Sequence, residues 1–447
     1  MWALFTDLYE ISMAQAYMAS GRTAPAVFET FFRQLPSTRN YAVAAGLSDV
    51  LDFLEALRFE DEDIEYLRSL GRFGDPFLKR LADLRFTGSV YAVPEGTVVF
   101  ANEPIVQVVA PIVQAQLVET FVLNQVHLHT VIASKTARVV EAARGRQVVD
   151  FGSRRAHGTN AALAVARATW LAGAAGTSNL MAARRYAIPP VGTMAHSFVQ
   201  AFESERDAYE VYARLYPGTT LLVDTYDTLR GIEIVIDVAR SLGDRFGVAA
   251  VRLDSGDLRA LSMRARAMLD AAGLQRVRIL ASSGLDEHAI EALLAAASPI
   301  DAFGVGTQLA VSQDAPTLDL AYKLVEYAGS GRTKLSADKI ILPGRKQVFR
   351  TIEHGTFASD TIARADETLP GEPLLELVMK NGRRLPAGQR GLASARTHAR
   401  TQIAALPAAL RSLDPATPYP VHVSPSVLDE LETLRRRISD TGETRST

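Results

Sequence analysis

The sequence predicts an α/β protein in which an α+β region precedes an α/β barrel. Two observations predict this fold class. Residues 86–110 alternate short apolar runs with turns, which is typical of short strands. From residue 147 to residue 306, apolar runs recur with helical patterns between most of them. Strand–helix alternation, with strands that are apolar on both faces, indicates a parallel sheet covered by helices.

The first region begins with a predicted helix and a predicted strand. Asp7 can cap a helix whose apolar residues recur at helical spacing. Residues 27–32 are mostly aromatic or β-branched and favour a strand. Residues 43–57, and later about 114–144, carry apolar side chains at helical spacing and predict two further helices.

The middle region supplies the strands of the predicted barrel. The candidate strands are QVVDF at 147, PPVG at 189, TLLVD at 220, VAAVRLD at 248, VRILAS at 277 and DAFGVG at 301. Roughly six or seven strand–helix units fit a barrel better than a single Rossmann half. An open, doubly wound sheet is the alternative, because periodicity alone does not separate the two.

The last region has a different composition. Beyond residue 330, glycine, proline, lysine and arginine become frequent. The fragment LLELVMK predicts a strand, and residues 427–438 predict a final helix. The terminal sequence DTGETRST is polar and predicts disorder.

The composition excludes several classes of protein. The chain has 447 residues, no cysteine, and 48 basic against 50 acidic residues, for a net charge of −2. Without cysteine, no disulfide forms and no thiolate can bind zinc or act as a nucleophile. The near-neutral charge argues against a nucleic-acid or anionic-membrane binder. No apolar run is long enough to span a bilayer, and the first residues do not resemble a signal peptide, so we expect a cytoplasmic protein.

Small and hydroxyl-bearing residues follow the predicted strands, at the end where barrel active sites lie. Ser282, Ser283 and Gly284 follow one strand, and Gly306 and Thr307 follow the next. Glycine beside a hydroxyl lets backbone N–H groups close on an anion. Two such turns on adjacent strands predict a phosphate site, although either turn alone can be an ordinary helix cap.

Charged residues also lie at predicted strand ends, among them Arg154, Arg155, Arg252 and Asp254. Guanidinium groups bind carboxylate and phosphate in bidentate fashion, although the same arginines can form structural ion pairs. Asp254 could hold a sugar diol or Mg²⁺. The alternative is a helix N-cap, a role for which Asp257 is better placed.

His196 follows the candidate strand at 189, and Asp224 and Asp227 follow another strand with the same possible uses as Asp254. A lone histidine is most often structural or exposed. The sequence has no HExxH spacing for a metal and no GxSxG elbow for an acyl hydrolase. The residues alone therefore predict a barrel enzyme that acts on a phosphorylated small molecule containing a carboxylate or a sugar.

An ordered set of motifs resembles the nicotinate phosphoribosyltransferase family, over about residues 4–350. Each motif is moderately specific, and the ordered set is highly specific. The motifs are TDLYEISMAQAY, FETFFRQLPSTRNYAVAAGL, DFGSRRAHG, GTSN, GTMAHSF, LLVDTYDTLRGI, VRLDSGDL, ASSGLDE, DAFGVGTQL, YKLVE and LPGRKQVFR.

The resemblance implies an irregular, incomplete α/β barrel packed against an α+β domain. It implies that residues 1–125 together with 335–447 form the α+β domain, and that residues 126–334 form the phosphoribosyltransferase barrel. It also implies a head-to-tail homodimer with active sites at the subunit interface.

The resemblance implies a reaction as well. In that family, the 5-phosphoribosyl group passes from phosphoribosyl pyrophosphate to nicotinate, giving nicotinate mononucleotide and pyrophosphate for NAD salvage. ATP hydrolysis is coupled to the transfer through a transient phosphohistidine, and Mg²⁺ is the cofactor. The alternatives are a nicotinamide phosphoribosyltransferase and a relative that binds NAD precursors without catalysis.

The family's roles are carried here to the matching residues. His196 resembles the phosphorylated histidine, and Arg252 and Asp254 complete the implied catalytic set. For nicotinate, the resemblance implies Tyr9 (from the second subunit), Phe151, Arg154, Thr177 and Ser178. For phosphoribosyl pyrophosphate, it implies Arg154, Arg252, Asp254, Ser282, Ser283, Gly284, Gly306 and Thr307. It assigns no Mg²⁺ ligands.

Ser178 bears on the choice between acid and amide. The amide-using relatives carry an aspartate in the turn that matches residues 176–179, where it accepts a hydrogen bond from the amide NH₂. A neutral Ser178 avoids repelling a carboxylate in a desolvated site. This favours nicotinate. Met194 is a departure, since it stands where the family's motif has a histidine.

Overall fold

The computed structural model describes residues 2–336 and 340–440. The chain divides into two compact units. The α+β unit comprises Met1–Val131 and Thr317–Thr447, and the barrel unit comprises Ile132–Pro316. The disorder predicted for DTGETRST covers residues 440–447; Asp440 instead ends the last helix, and residues 441–447 lie outside the described residues.

The N-terminal part of the α+β unit alternates helices with strands. The helices are α1 (Leu8–Ala19), α2 (Leu47–Ala56), α3 (Asp61–Ser69), α4 (Asp75–Ala82), α5 (Ile112–Leu117) and α6 (Glu119–Ala142), the last continuing into the barrel unit. The strands are β1 (Pro25–Phe32), β2 (Ala42–Val43), β3 (Ser89–Ala92), β4 (Val98–Val99) and β5 (Val106–Pro111). The helix predicted from residue 43 begins only at Leu47, because β2 pairs with β4.

The barrel unit alternates strands and helices. Its strands are β6 (Gln147–Asp150), β7 (Gly176–Thr177), β8 (Thr220–Leu222), β9 (Ala250–Leu253), β10 (Arg278–Ala281) and β11 (Ala302–Val305). Its helices are α7 (Thr159–Leu171), α8 (Leu180–Tyr186), α9 (His196–Gln200), α10 (Glu205–Leu215), α11 (Thr228–Leu242), α12 (Leu258–Ala271), α13 (Glu287–Ala295) and α14 (Thr307–Ala310).

The six strands of the barrel unit form one parallel sheet, in the order β7-β6-β11-β10-β9-β8. The sheet is curled into a half-barrel. Strand β11 is buried at every position, and β9 at all but Arg252, as strands covered on both faces should be. The predicted incomplete barrel is confirmed.

One predicted strand of the barrel is wrong. The segment PPVG at 189 is not a strand, and its pairing is reduced to a single bridge between Pro190 and Thr177. Instead, the short strand β7 pairs with β6. Proline has no N–H to donate to a ladder, so an apolar run with two prolines cannot continue a central strand.

Three aspartates cap helices of the barrel unit. The side chains of Asp227, Asp257 and Asp286 accept hydrogen bonds from backbone N–H groups three residues later, at 2.8, 3.1 and 2.8 Å. Such caps satisfy backbone donors that a helix leaves unpaired. The cap predicted for Asp257 is confirmed; Asp227 forms the same kind of cap through one oxygen, and the ligand role considered for it stays a prediction.

The C-terminal part of the α+β unit adds strands to the N-terminal ones. Its strands are β12 (Leu320–Tyr327), β13 (Ser330–Gly331), β14 (Lys346–Glu353), β15 (Thr356–Arg364), β16 (Glu372–Pro373), β17 (Glu376–Lys380), β18 (Arg383–Arg384) and β19 (Val421–Val423). Its helices are α15 (Leu392–Ala404), α16 (Ala408–Arg411) and α17 (Pro425–Asp440). An antiparallel seven-stranded sheet, ordered β13-β12-β1-β5-β3-β17-β18, joins the two parts. A four-stranded sheet, β16-β14-β15-β19, lies within the C-terminal part.

Within residues 2–336 and 340–440, every helix is too short or too polar to cross a lipid bilayer.

Candidate active site

The carboxyl ends of the parallel strands bring most of the predicted site residues of the barrel unit to one edge of its sheet. Strands β9 and β10 pair in register from Ala250 with Arg278 to Leu253 with Ala281. The residues that follow these strands therefore lie side by side, as the sequence analysis expected. Tyr9 is the exception among the predicted residues, because it lies on helix α1 of the α+β unit.

Arg252 is the centre of a hydrogen-bond network. Its Nε donates to the Ser282 hydroxyl at 2.8 Å, and its Nη2 lies 2.9 Å from Oδ1 of Asp254. The Ser282 hydroxyl in turn donates to the same Asp254 oxygen at 2.5 Å. A third contact, from Nη1 to the Thr193 hydroxyl, measures 3.2 Å. The guanidinium is thus fixed from three sides, and each contact uses a separate nitrogen of the group.

Asp224 holds the neighbouring turn. Its Oδ2 accepts hydrogen bonds from the backbone N–H of Asp254 at 2.9 Å and from the Ser255 hydroxyl at 2.6 Å. Its Oδ1 is buried and has no hydrogen-bond partner among the described residues. Asp224 therefore positions Asp254, and its Oδ1 is a buried, unsatisfied polar atom of the kind that a bound ion or water would satisfy.

His196 is the first residue of helix α9 and is partly exposed. Its Nδ1 lies 3.2 Å from the Thr225 hydroxyl, and its Nε2 lies 3.9 Å from Oδ2 of Asp254. Both contacts come from turns that follow strands of the sheet. The imidazole is therefore oriented by one nitrogen while the other faces the carboxylate.

Phe151 lies directly after strand β6, with its ring half-buried. The Arg252 guanidinium carbon is 5.3 Å from the ring centroid, a cation–π distance. The ring also covers Gly304, where an added Cβ would lie 2.5 Å from the ring atom Cε2. Only glycine leaves space for Phe151 in this position. An aromatic face beside a cation suits an electron-poor ring that carries an anionic group.

Arg154 follows Phe151 in the 3₁₀ turn Ser153–Arg155. It is exposed, and the structure, over its described residues, gives it no ion pair. Arg155 is exposed in the same turn. Arg154 is therefore free to bind an anion from solution, whereas Arg252 is already held by protein groups.

Thr177 and Ser178 occupy the turn after strand β7, with different exposure. Thr177 is fully buried, and its hydroxyl donates to the carboxylate of Asp150 at 2.7 Å. Ser178 is exposed. The next residue, Asn179, caps helix α8 by accepting from Ala182 N at 3.0 Å. Of this turn, the Ser178 side chain is the one that a ligand can reach.

The two predicted phosphate turns follow the paired strands β10 and β11. Ser282 is buried in the Arg252 network, while Ser283 and Gly284 are exposed and have φ angles of 88° and 60°. A serine in this left-handed region is uncommon and often marks a functional turn. Gly306 and the exposed Thr307 lie at the start of the short helix α14.

Sequence reasoning missed three residues that shape this edge, namely Thr193, Thr225 and Asp150. It named Asp224 only as one of several candidate carboxylates. Each of them contacts a predicted site residue through a hydrogen bond. The available signal was their position, because each lies at or just beyond the end of an apolar run.

The sequence matches two family models, the nicotinate phosphoribosyltransferase N-terminal domain over residues 4–127 and the nicotinate phosphoribosyltransferase family over residues 146–337. Among curated relatives, nicotinate phosphoribosyltransferase pncB2 of Mycobacterium tuberculosis is 64% identical over 442 residues, covering 99% of this chain and 95% of that one. The nicotinate phosphoribosyltransferase of Bacillus subtilis is 44% identical over 385 residues, covering 84% and 79%.

A solved structure is similar over almost the whole chain. The crystal structure of human nicotinic acid phosphoribosyltransferase superposes with a TM-score of 0.86 at 28% identity, covering 96% of this chain and 99% of that one.

Proposed function

The chain belongs to the nicotinate phosphoribosyltransferase family, and we propose that phosphoribosyl pyrophosphate is its donor and ATP its co-substrate in NAD salvage. The observation that carries this proposal is the convergence of Arg252, Asp254 and His196 at the carboxyl edge of the half-barrel. A fixed cation, a carboxylate and an accessible imidazole beside an aromatic ring suit a pyrophosphate donor and a pyridine acceptor.

Nicotinate would bind with its ring against Phe151. The nicotinate carboxylate and the pyrophosphate are anions that need cations nearby. Arg154 follows Phe151 closely in the sequence, and Arg252 lies against the Phe151 ring. We assign the two anionic groups jointly to these arginines. Ser178 is exposed and neutral, so it can face the nicotinate carboxylate without repulsion.

The 5-phosphate would bind at the turns after strands β10 and β11. Ser283, Gly284 and Thr307 are exposed there. Gly306 precedes helix α14, and the backbone N–H groups of these turns can point at an anion. Two neighbouring turns of this kind can hold a phosphate from two sides.

The residues present fit a magnesium ion that is shared with the substrate. Among the described residues, no group of three or more histidines, aspartates and glutamates could hold a metal alone. Mg²⁺ is commonly bound by one or two carboxylates together with substrate phosphates. Asp254 and the unpaired Oδ1 of Asp224 would be those carboxylates. The ion would neutralise charge on the pyrophosphate group when bound.

In the transfer itself, the bond from ribose C1 to the pyrophosphate oxygen breaks, and a bond from C1 to the pyridine nitrogen forms. The electron pair of the broken bond leaves with pyrophosphate, and no proton needs to move. Arg252 would stabilise the leaving anion, and Phe151 would orient the pyridine nitrogen towards C1. Positioning and charge placement therefore supply the catalysis, rather than a general base.

ATP coupling would use His196. The γ-phosphoryl group passes to an imidazole nitrogen, the bond to ADP breaks, and the imidazole proton is released. Thr225 on Nδ1 and Asp254 near Nε2 orient the ring for such a transfer. A phosphate carried on this side chain lies beside the proposed pyrophosphate site, where its hydrolysis can be linked to turnover.

A homodimer with shared active sites would bring Tyr9 to the site. The tyrosine is 47% exposed, and Leu180 and Met181, just after the Ser178 turn, are 74% and 68% exposed. Exposed apolar side chains beside a site are typical of an interface. Mixing Tyr9→Ala protein with Arg252→Ala protein should restore activity if sites are shared, because one site of the mixed dimer then has both residues intact. Sedimentation should give twice the chain mass.

We place this activity in the cytoplasm, where ATP is available.

The proposed function is tested by a product assay on the purified protein. Phosphoribosyl pyrophosphate, Mg²⁺ and either nicotinate or nicotinamide are supplied with and without ATP, and nucleotides are identified by mass. Nicotinate mononucleotide that increases with ATP supports the proposal. If the amide nucleotide is the main product, the acceptor is nicotinamide and not nicotinate. If the protein binds phosphoribosyl pyrophosphate but forms no product, it is a non-catalytic relative.

A further inference from the structure

Asp150 is a buried carboxylate at the end of strand β6, next to Phe151. Its exposed fraction is 0%. Oδ1 accepts a hydrogen bond from the backbone N–H of Gly152 at 2.7 Å, and Oδ2 accepts from the Thr177 hydroxyl at 2.7 Å. Its backbone carbonyl accepts from the N–H of Ser178 at 2.9 Å. One residue therefore binds both turns that carry the proposed nicotinate contacts.

The contacts of Asp150 have a specific geometry. The hydrogen bond from the N–H of Gly152 to Oδ1 of Asp150 closes a turn around Phe151. The Asp150 side chain thus fixes the backbone on both sides of Phe151. The bond from Oδ2 reaches across to strand β7, whose Thr177 pairs with Asp150 in the parallel register. The two carboxylate oxygens thus join the Phe151 turn to the Ser178 turn.

A carboxylate is a costly choice for this position. Over the described residues, the oxygens of Asp150 meet only neutral donors and no lysine or arginine. Burial raises the pKa of the Asp150 carboxyl, and the bonds from Thr177 and Gly152 counteract the rise. A buried acid without a cation stabilises a protein poorly, so its presence at this place calls for another explanation.

Both turns contain a glycine that no larger residue can replace. A Cβ at Gly152 would lie 2.5 Å from Cβ of Ala310, and one at Gly176 would lie 2.5 Å from Cγ2 of Val191. Neither glycine has a side chain to hold its turn, so the hydrogen bonds to Asp150 do so. Because Thr177 uses its hydroxyl hydrogen on Asp150, it reaches a ligand only through the turn that it holds.

We propose that Asp150 is a positioning residue for the pyridine substrate, acting through Thr177 and Gly152 to set the distance between the Phe151 ring and Ser178. This inference rests on the proposed function, since it assigns to both turns the binding of nicotinate. Asp150 touches no substrate itself. Loss of its bonds would loosen the pyridine site while the phosphate turns on strands β10 and β11 keep their own contacts.

The test compares the KM for nicotinate with the KM for phosphoribosyl pyrophosphate in Thr177→Val, Asp150→Asn and the double variant. A hydrogen bond to a carboxylate is worth enough that each single variant should raise the nicotinate KM about tenfold. We expect the KM for phosphoribosyl pyrophosphate to stay within about twofold, because those contacts are separate. In Asp150→Asn the remaining carbonyl oxygen can still accept from the N–H of Gly152, so both single changes remove the same bond from Thr177 to a charged oxygen, and the double variant should also show about a tenfold rise.

Two further variants separate positioning from general damage. Thr177→Ser restores the hydroxyl and should recover most of the nicotinate affinity. Thr169→Val makes the same change at another buried threonine, whose hydroxyl bonds to the carbonyl of Ala166 at 3.0 Å within helix α7. It should leave both KM values unchanged. If Asp150→Asn fails to fold, the comparison of Thr177→Val with Thr177→Ser still tests the proposal.

The outcomes are distinguishable. A wild-type protein that forms no nicotinate mononucleotide refutes the proposed function. An active wild type whose Thr177→Val variant keeps the normal nicotinate KM refutes the inference alone. Equal rises of both KM values would also overturn it, because they would show damage that is not confined to the pyridine site. So would a nicotinate KM about a hundredfold higher in the double variant, because Asp150 and Thr177 would then act independently.

Discussion

His196 and Asp254 face each other at the carboxyl edge of the half-barrel, with Nε2 of the histidine 3.9 Å from Oδ2 of the carboxylate. The opposite nitrogen of the ring lies 3.2 Å from the Thr225 hydroxyl. Asp254 also contacts Arg252 through its other oxygen. The imidazole and the guanidinium thus share one carboxylate, which can link the state of the histidine to the group that would hold pyrophosphate.

Replacing His196 with alanine should remove the stimulation by ATP and leave slow transfer without ATP. The reason is that the histidine is placed to carry a phosphoryl group, while Arg252 and Phe151 perform the transfer. We expect the ratio of rates with and without ATP to fall to about one. His288→Ala, at an exposed histidine of helix α13, is the control. An equal loss of both activities would show that His196 does more than couple ATP.

Ser178→Asp should shift selectivity from nicotinate towards nicotinamide. An added carboxylate repels the acid and can accept a hydrogen bond from the amide. We expect the ratio of kcat/KM values, acid over amide, to fall at least about tenfold, or about 1.4 kcal/mol. Ser178→Asn adds similar bulk without charge and should change the ratio far less. Selectivity that stays the same in the aspartate variant would contradict the charge argument.

Arg252→Lys should reduce kcat/KM by about a hundredfold or more. A lysine cannot reach Ser282, Asp254 and Thr193 with separate nitrogens as the guanidinium does, so the cation would lose its fixed position. Steady-state kinetics with both substrates measure the effect. Arg240→Lys, in an exposed ion pair of helix α11, is the matched control. Near-normal activity in Arg252→Lys would mean that charge alone suffices.

Glu287 should make stability depend on pH. It is fully buried and bonded to Lys135 and Arg138, the latter at 3.0 Å. Burial acts to raise its pKa, but these cations outweigh it and hold the pKa below the ordinary 4.5. A lowered folded pKa contributes stability above the unfolded pKa, and this contribution is lost as the pH falls through the folded value.

The corresponding measurement is the melting temperature of wild type and Glu287→Gln across pH. At neutral pH the variant replaces the carboxylate bonded to both Lys135 and Arg138 with a neutral amide, while Asp314 still pairs with Lys135 at 2.7 Å, so the cost should be about 1.5–3 kcal/mol. The difference should begin to narrow below about pH 4.5, where the carboxyl group of the unfolded chain takes up a proton, and it should disappear as the pH falls through the lower pKa of the folded protein. Glu291→Gln, on the same helix without an ion pair among the described residues, should show no such trend. A difference that is constant with pH would exclude this role.

Five of the six strands of the half-barrel could be predicted because each is a short apolar run that stops at a polar residue or a glycine; β7, which is Gly176–Thr177, could not, because it has no apolar run. Strand β11 is an example, with four buried residues followed by Gly306 and Thr307. The apolar run at 189 failed because its prolines cannot donate hydrogen bonds. Hydropathy alone carries no information about backbone donors.

The side-chain network could be predicted only in part. Arg252 and Asp254 stand out as charges at the end of an apolar strand. Asp150 does so too, but its role depends on Thr177, which lies 27 residues away. That pairing follows from strand register, which a single sequence does not specify. The residues of the site were thus easier to predict than the residues that hold them.

Gly304 has a consequence for the interpretation of natural variants. A methyl group at this position would lie 2.5 Å from Cε2 of Phe151 and 3.3 Å from Cβ of Ser282. The smallest possible mutation would therefore displace the aromatic platform and disturb a neighbour of Arg252. A natural variant with alanine here should be classed with those that lose a charged residue of the site, although glycine itself has no side chain to contribute.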